Sequence, residues 1–243
     1  QSNKNRRQGA LAQIEWNNRT LIAGVSGTGK TWFGWWWLRE YQRQGKRSYY
    51  VILSDNRRDY NNPKHAASMR PASQGFKLIG FDKEHAARPW DWKRIIRTHR
   101  KLYIEVGNLV SAEIQALVDQ LADAVWKLGN GLFVVDEAWL FLNRDLVPDS
   151  FERLARGGRK HGVDILAITQ RVVDIHPRIL SQFNVIVSFQ LTEMNDRERL
   201  ARYFAPINGR DPREVIATLK QGEYLIKVTE TGQQEKNQTF GLA

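Results

Sequence analysis

The sequence predicts an α/β fold with a mainly parallel central sheet flanked by helices. Two patterns carry that expectation. Strand-length apolar runs alternate five times with helical periods, as crossover connections between parallel strands require. One run, Gly131 to Val135, is nearly all apolar and stops at Asp136 and Glu137, which suits a central strand buried on both faces.

The elements follow in order. Residues 1–17 read as a polar, basic arm, and residues 18–243 as one domain without a dividing linker. Arg19 to Ala23 reads as a strand and Thr31 to Arg43 as a helix, with a glycine loop between them. Ser48 to Leu53 (SYYVIL) is a second strand. Residues 54–75 mix Asp, Asn, Pro, Ser and basic side chains without periodicity and read as an irregular excursion. Phe76 to Phe81 is a short strand, Pro89 to Arg100 a basic helix, and Lys101 to Val106 a further strand. Ala112 to Leu128 is amphipathic, with Ile114, Leu117, Val118, Leu121, Val125 and Leu128 at helical spacing. Asp149 to Lys160 reads as a helix capped by Asp149 or Ser150. Val163 to Thr169 and Asn184 to Phe189 are strands. Asn195 to Phe204 and Pro212 to Leu219 are helices. Glu223 to Val228 and Gln238 to Leu242 are late strands.

Composition narrows the classes. The 243 residues are 42% hydrophobic and 26% charged, a globular balance. There is no cysteine, which excludes a disulfide scaffold, a thiolate metal site and a cysteine nucleophile. That fits a reducing, cytoplasmic setting. No apolar run approaches the ~18–20 residues of a spanning helix, and QSNKNRRQ does not read as a secretory signal. With 37 Lys and Arg against 26 Asp and Glu, the net charge is +11. Such a surface attracts nucleic acid or acidic headgroups, or is simply solvated.

Three segments carry chemistry. Residues 24–31, GVSGTGKT, match G-x-x-x-x-G-K-[ST] in full. Gly24, Ser26, Gly27, Thr28 and Gly29 would turn backbone N–H groups toward phosphate oxygens. Lys30 would add a charge at the β/γ-phosphates, and Thr31 a hydroxyl for Mg²⁺. The helix that follows favours an anion at its start. Asp136 and Glu137 close the most apolar strand; the first would serve Mg²⁺, and the second would orient or deprotonate water. Thr169 and Gln170 close the next strand, where ligands of parallel sheets sit. Upstream, Arg153, Arg156, Arg159 and Lys160 gather on one helix and its end, a pattern that a solvated helix terminus also shows.

Taken together, GVSGTGKT, FVVDEAW, RGGRKHGVDILAITQR and ILSQFNVIVSFQLTEMNDRERL resemble the FtsK–HerA superfamily of ring-forming DNA-pumping ATPases over residues 19–205. The first motif is generic to P-loop proteins; the stretch around GRK, TQR and ILSQ is far more specific. The resemblance implies an additional-strand (RecA/ASCE-like) P-loop NTPase using ATP and Mg²⁺. It implies a catalytic Glu137 beside Asp136, a sensor at Gln170, and a finger at Arg159 or Arg156 reaching the neighbouring subunit. It also implies a hexamer or pentamer threading double-stranded DNA. The chain's small size resembles the compact genome-packaging ATPases of membrane-containing icosahedral viruses, for which a capsid vertex or membrane protein is a further partner. A HerA-like cellular translocase, a P-loop kinase and a phage-extrusion assembly ATPase are the rival readings.

Two further features bear on partners. Trp32, Trp35, Trp36 and Trp37 cover nearly all faces of the helix after the glycine loop, which implies core contacts plus an interface. Arg57, Arg58 and Lys64 in the excursion, and Arg94 and Arg97 in the basic helix, either contact DNA phosphates or are solvated.

Overall fold

A computed structural model describes residues 18–45, 47–55, 70–145 and 147–239. The 1–17 arm and the candidate DNA contacts Arg57, Arg58 and Lys64 lie outside the described residues. The strands are β1 (Arg19–Ala23), β2 (Tyr49–Ser54), β3 (Lys77–Phe81), β4 (Lys101–Val106), β5 (Gly131–Asp136), β6 (Asp164–Thr169), β7 (Val185–Ser188), β8 (Glu223–Val228) and β9 (Gln234–Gln238). The helices are α1 (Lys30–Gln44), α2 (Lys83–Ala86), α3 (Trp92–His99), α4 (Ser111–Leu128), α5 (Ala138–Phe141), α6 (Asp149–Gly157), α7 (Pro177–Leu180), α8 (Met194–Ala201) and α9 (Pro212–Ala217).

The strands form one nine-stranded sheet in the order β3-β4-β2-β5-β6-β1-β7-β8-β9. Seven strands from β3 to β7 in that order are parallel, and β8 and β9 are added antiparallel. Strand β6 lies between β1, which leads into the glycine loop, and β5. This is the additional-strand arrangement, and it sets the 24–31 loop one strand away from Asp136. Strands β2, β5 and β6 are buried at every position, which is why their sequences are continuous apolar runs rather than alternating ones.

The two sheet faces are covered differently. Helices α3, α4, α6, α8 and α9 contribute to one large core with the inward side chains of β4, β5 and β6. Helix α1 packs on the opposite face, and its aromatic side chains widen its reach. Phe33 meets Tyr224 of β8 at 4.8 Å and Phe189 beyond β7 at 5.7 Å, while Trp35 meets Phe76 at 6.0 Å on the other flank. Trp35 and Trp37 are buried, and Trp32 and Trp36 pack half-buried against the same cluster. Wide, rigid indoles let a single helix cover strands that a leucine could not reach.

Three expectations need correction. Helix α6 is capped by neither Asp149 nor Ser150. Pro148 holds the cap position without a side-chain bond, and the Ser150 N–H donates to Asp119 Oδ1 at 2.8 Å. The acids of its first turn, Asp149 and Glu152, still complement the helix dipole. The α-helix also stops at Gly157, and Gly158–His161 continue as a 3-10 turn. The Gly157-Gly158 pair weakens the α-helix at that point. A strand, Gln234–Gln238, ends at Gln238, where one was expected to begin; positions 240–242 of that expectation lie outside the described residues. It is a polar edge strand whose place is set by pairing with β8, so no apolar pattern marks it.

Candidate active site

The carboxyl ends of β2, β5, β6, β1 and β7 reach the same edge of the sheet. The register aligns Ser54 with Asp136, Asp136 with Ile168, and Ala23 with both Thr169 and Ser188. Everything the sequence marks as chemical between residues 24 and 31, at 136–137 and at 170 therefore stands on this edge.

The 24–31 loop is tied down at both flanks. The Gly24 N–H donates to the Thr169 carbonyl at 3.1 Å, and the Val25 N–H to the Gln190 carbonyl at 2.9 Å. Gly24 is required by close approach: a Cβ there would lie 2.6 Å from Phe189 Cβ and 2.9 Å from Thr28 Oγ1. The buried Thr28 hydroxyl closes the loop by donating to the Val25 carbonyl at 2.8 Å. Gly29 turns the chain into α1 with φ of 104°, a conformation that suits glycine. The N–H groups of Gly27, Gly29, Lys30 and Thr31 have no acceptor among the described residues. Lys30 is buried, while Ser26 and Gly27 are exposed at the loop's tip. Unmatched N–H donors around a buried ammonium fit a phosphate chain, and the donor set of Thr31 and Asp136 fits Mg²⁺.

Asp136 ends β5 and is buried. It accepts the Glu137 N–H at 3.1 Å and the Ser54 hydroxyl at 3.5 Å. Ser54 was not singled out in the sequence. It is a polar residue closing an apolar strand, the same signal that marks Gln170.

Glu137 adopts a left-handed backbone, φ 55° and ψ 51°, a conformation costing a non-glycine residue roughly 1–2 kcal/mol. That geometry takes the chain out of β5 and into α5 at once. The carboxylate is held at both oxygens: Trp139 Nε1–H donates to Oε2 at 3.0 Å, and Gln170 Nε2–H to Oε1 at 3.4 Å. Burial raises the Glu137 pKa above the ordinary value, and the nearby charges of Asp136 and Asp55 raise it further, against the lowering effects of Lys30 and the Trp139 bond. Trp139 is invisible as a site residue in the sequence, where an aromatic two places past an acid reads as core.

No protein-family model matches the chain. It is 24% identical over 195 residues to the DNA packaging ATPase P9 of Enterobacteria phage PRD1, covering 78% of this chain and 71% of that protein. It is 31% identical over 98 residues, 39% of this chain, to a probable DNA double-strand break repair helicase HerA of Methanocaldococcus jannaschii. It spans only 19–23% of the length of the archaeal helicases it matches. Among solved structures, the genome packaging NTPase B204 of Sulfolobus turreted icosahedral virus 2, in complex with ATP-gammaS, superposes with a TM-score of 0.68 at 16% identity. That match covers 94% of this chain and 100% of the other. The chain therefore has the fold of this genome packaging NTPase.

Within this fold the arginines lie apart from the 24–31 loop. Arg159 sits in the 3-10 turn that precedes β6 and pairs with Glu230 beyond the far end of β8. The 6 residues of β6 separate it from Gln170, a distance of about 20 Å at ~3.3 Å per residue. Arg156 is exposed and lies 3.6 Å from Glu152, which Arg178 approaches at 3.7 Å. Arg153 pairs with Asp123 at 2.8 Å and stacks over Trp126. None of the three reaches the 24–31 loop of its own chain.

Arg94 and Arg97 lie on α3, where they line a shallow recess with Asp91, Lys93 and Thr98. The tryptophans interleaved with these charges turn inward. Trp92 is buried, stacks on Trp90 at 4.9 Å and donates to Gln120. The charges stay on the solvent side, so α3 presents a cationic face over an aromatic footing.

Proposed function

We propose that the chain is the subunit of an ATP-driven double-stranded DNA translocase, a genome-packaging motor of a virus. One observation carries the catalytic half of this reading. The unpaired N–H cradle with its buried Lys30 shares a strand edge with Asp136 and with a Glu137 clamped by Gln170 and Trp139. The DNA half is supported by the likeness to proteins named for DNA and genome packaging and by the charge of +11.

Each residue then has a task. Gly24, Ser26, Gly27, Thr28 and Gly29 shape the loop. The N–H groups of Gly27, Gly29, Lys30 and Thr31, with the Lys30 ammonium, hold the triphosphate. The Thr31 hydroxyl and Asp136 would hold Mg²⁺, which supplies charge neutralisation at the phosphates when bound. Glu137 accepts a proton from the attacking water; its raised pKa makes it a stronger base than an exposed glutamate, provided the pH keeps it ionised. Gln170 fixes the Glu137 oxygen that it bonds and carries the state of the site into β6. Arg159, with Arg156 as the alternative, completes the site of a neighbouring subunit in a hexameric or pentameric ring. Arg94 and Arg97 contact DNA phosphates. A capsid vertex or a membrane protein anchors the ring; no described helix is long and apolar enough to cross a membrane.

The test is ATP turnover with and without duplex DNA, read beside the native mass. The expected result is a ring whose turnover rises with DNA. Turnover indifferent to DNA, in a monomer that phosphorylates a small acceptor, would replace this reading with that of a kinase.

A further inference from the structure

The side chains of Asp136, Glu137 and Gln170 close β5 and β6, on one flank of β1. A phosphate chain lying in the 24–31 loop with its terminal phosphate toward them runs away from them, toward β7 and β8. The surface waiting on that flank is the turn Lys220–Glu223. Its Gly222 N–H donates to the Thr28 carbonyl at 3.0 Å, and its backbone comes within 3.7 Å of where a Cβ on Gly29 would stand.

The turn is firmly built. The Glu223 N–H donates to the Lys220 carbonyl at 2.9 Å, and Gly222, with φ of 80°, occupies the third position, where a type II turn needs glycine. The Glu223 carboxylate accepts the Lys220 N–H at 2.9 Å and pairs with Lys236 at 3.0 Å. The Thr239 N–H donates to the Gly222 carbonyl at 2.7 Å. All of this leaves the side chains of Lys220 and Gln221 exposed at the tip, beside the phosphate loop.

We propose that Lys220 and Gln221 form the nucleoside wall of the site and contact the ribose and base of the bound nucleotide. The assignment rests on the reading of 24–31 as a phosphate loop. Lys220 supplies donors only, and the Gln221 amide supplies both donors and an acceptor. That pair suits ribose hydroxyls and a base edge. The turn carries no aromatic ring, so the nucleoside is held there by hydrogen bonds.

The experiment compares two ligands by calorimetry on the full chain: ATP and inorganic tripolyphosphate, which has the phosphates without the nucleoside. Lys220→Ala and Gln221→Ala, both at exposed positions, should each raise the Kd for ATP by about 2- to 10-fold, the range of one hydrogen bond. Tripolyphosphate affinity should not change. Unchanged ATP affinity in the double variant would overturn the assignment. Equal loss for both ligands would also overturn it, and would leave the turn as a prop for the loop through Gly222. Tripolyphosphate binding that survives Lys30→Ala would instead remove the phosphate-loop reading, and this assignment with it.

Discussion

The Gln170 amide donates to Glu137 Oε1 at 3.4 Å, joining the residues that close two adjacent strands, β5 and β6. Residues 33 positions apart in sequence thus become one unit. Trp139 holds the other oxygen of the same carboxylate, so the group that would face water is fixed in orientation before any ligand arrives.

Glu137→Gln keeps the shape but removes the base: its amide oxygen can still accept from Trp139, and its NH2 can donate to Gln170 once the Gln170 amide turns over. ATP binding should persist while hydrolysis falls at least ~10²-fold. Near-normal turnover would remove Glu137 from the mechanism.

The same residue links the site to pH. Its folded pKa is raised, chiefly by burial and then by Asp136, so between the unfolded and folded values the native state binds more protons. Stability therefore falls as pH rises through that window. Glu137→Gln should melt at a higher temperature than the parent at pH 7, and the gap should close below about pH 4, where the unfolded carboxyl also takes a proton. A gap independent of pH would contradict the raised pKa. Turnover of the parent should lose its base on an acid limb that lies above the ordinary glutamate range.

Gly24→Ala places a methyl 2.6 Å from Phe189 Cβ, and Phe189 is itself fully buried. Neither side can give way cheaply. A loss of about 1–3 kcal/mol in urea unfolding is expected, with weaker ATP binding as the loop shifts off β7. Parental stability would mean that the loop has room that the packing denies.

Arg159→Ala should leave stability within ~1 kcal/mol, because its partner Glu230 is an exposed residue. It should keep ATP affinity and slow hydrolysis by ~10³–10⁵, the effect of a finger on transition-state charge. Its place at the amino end of β6 puts its own phosphate loop out of reach, so rescue must come in trans. Rings mixing Arg159→Ala with Lys30→Ala subunits, each inactive alone, should regain partial activity. Full activity of Arg159→Ala alone would move the role to Arg156.

Arg94 and Arg97 should act on DNA through phosphates alone. Replacing both by Ala should flatten the log–log salt dependence of DNA binding by about 0.9 per lost contact, equally for unrelated sequences. An unchanged slope would leave α3 as a solvated face and return the search to the 54–75 segment.

Much of this was legible in the residues. A glycine loop between an apolar strand and a helix needs only local geometry, so residues 24–31 announce themselves. Strands β2, β5 and β6, buried on both faces, must be apolar throughout, and their polar end residues Asp136 and Gln170 stand out by contrast. Ser54 follows the same rule. The edge strand β9 does not: QEKNQ is wholly polar and at no position buried, and its pairing with β8 leaves no apolar record. The short helices α2, α5 and α7 are single turns, too brief for a period to show.

The sequence by itself determined the chemistry available: a G-x-x-x-x-G-K-[ST] loop, an acid pair after a central strand, and an excess of cationic side chains. Tertiary structure alone decided how these meet. Placing β6 between β1 and β5 brings Gln170 onto Glu137 and sends Arg159 to the opposite edge of the sheet. Antiparallel β8 starts at the edge that bears the loop, which sets Gly222, the residue before it, against Thr28. Local propensity encodes loops, helices and buried runs because their causes lie within a few residues. Strand order is fixed by long-range packing of whole faces, and no short stretch of residues carries it.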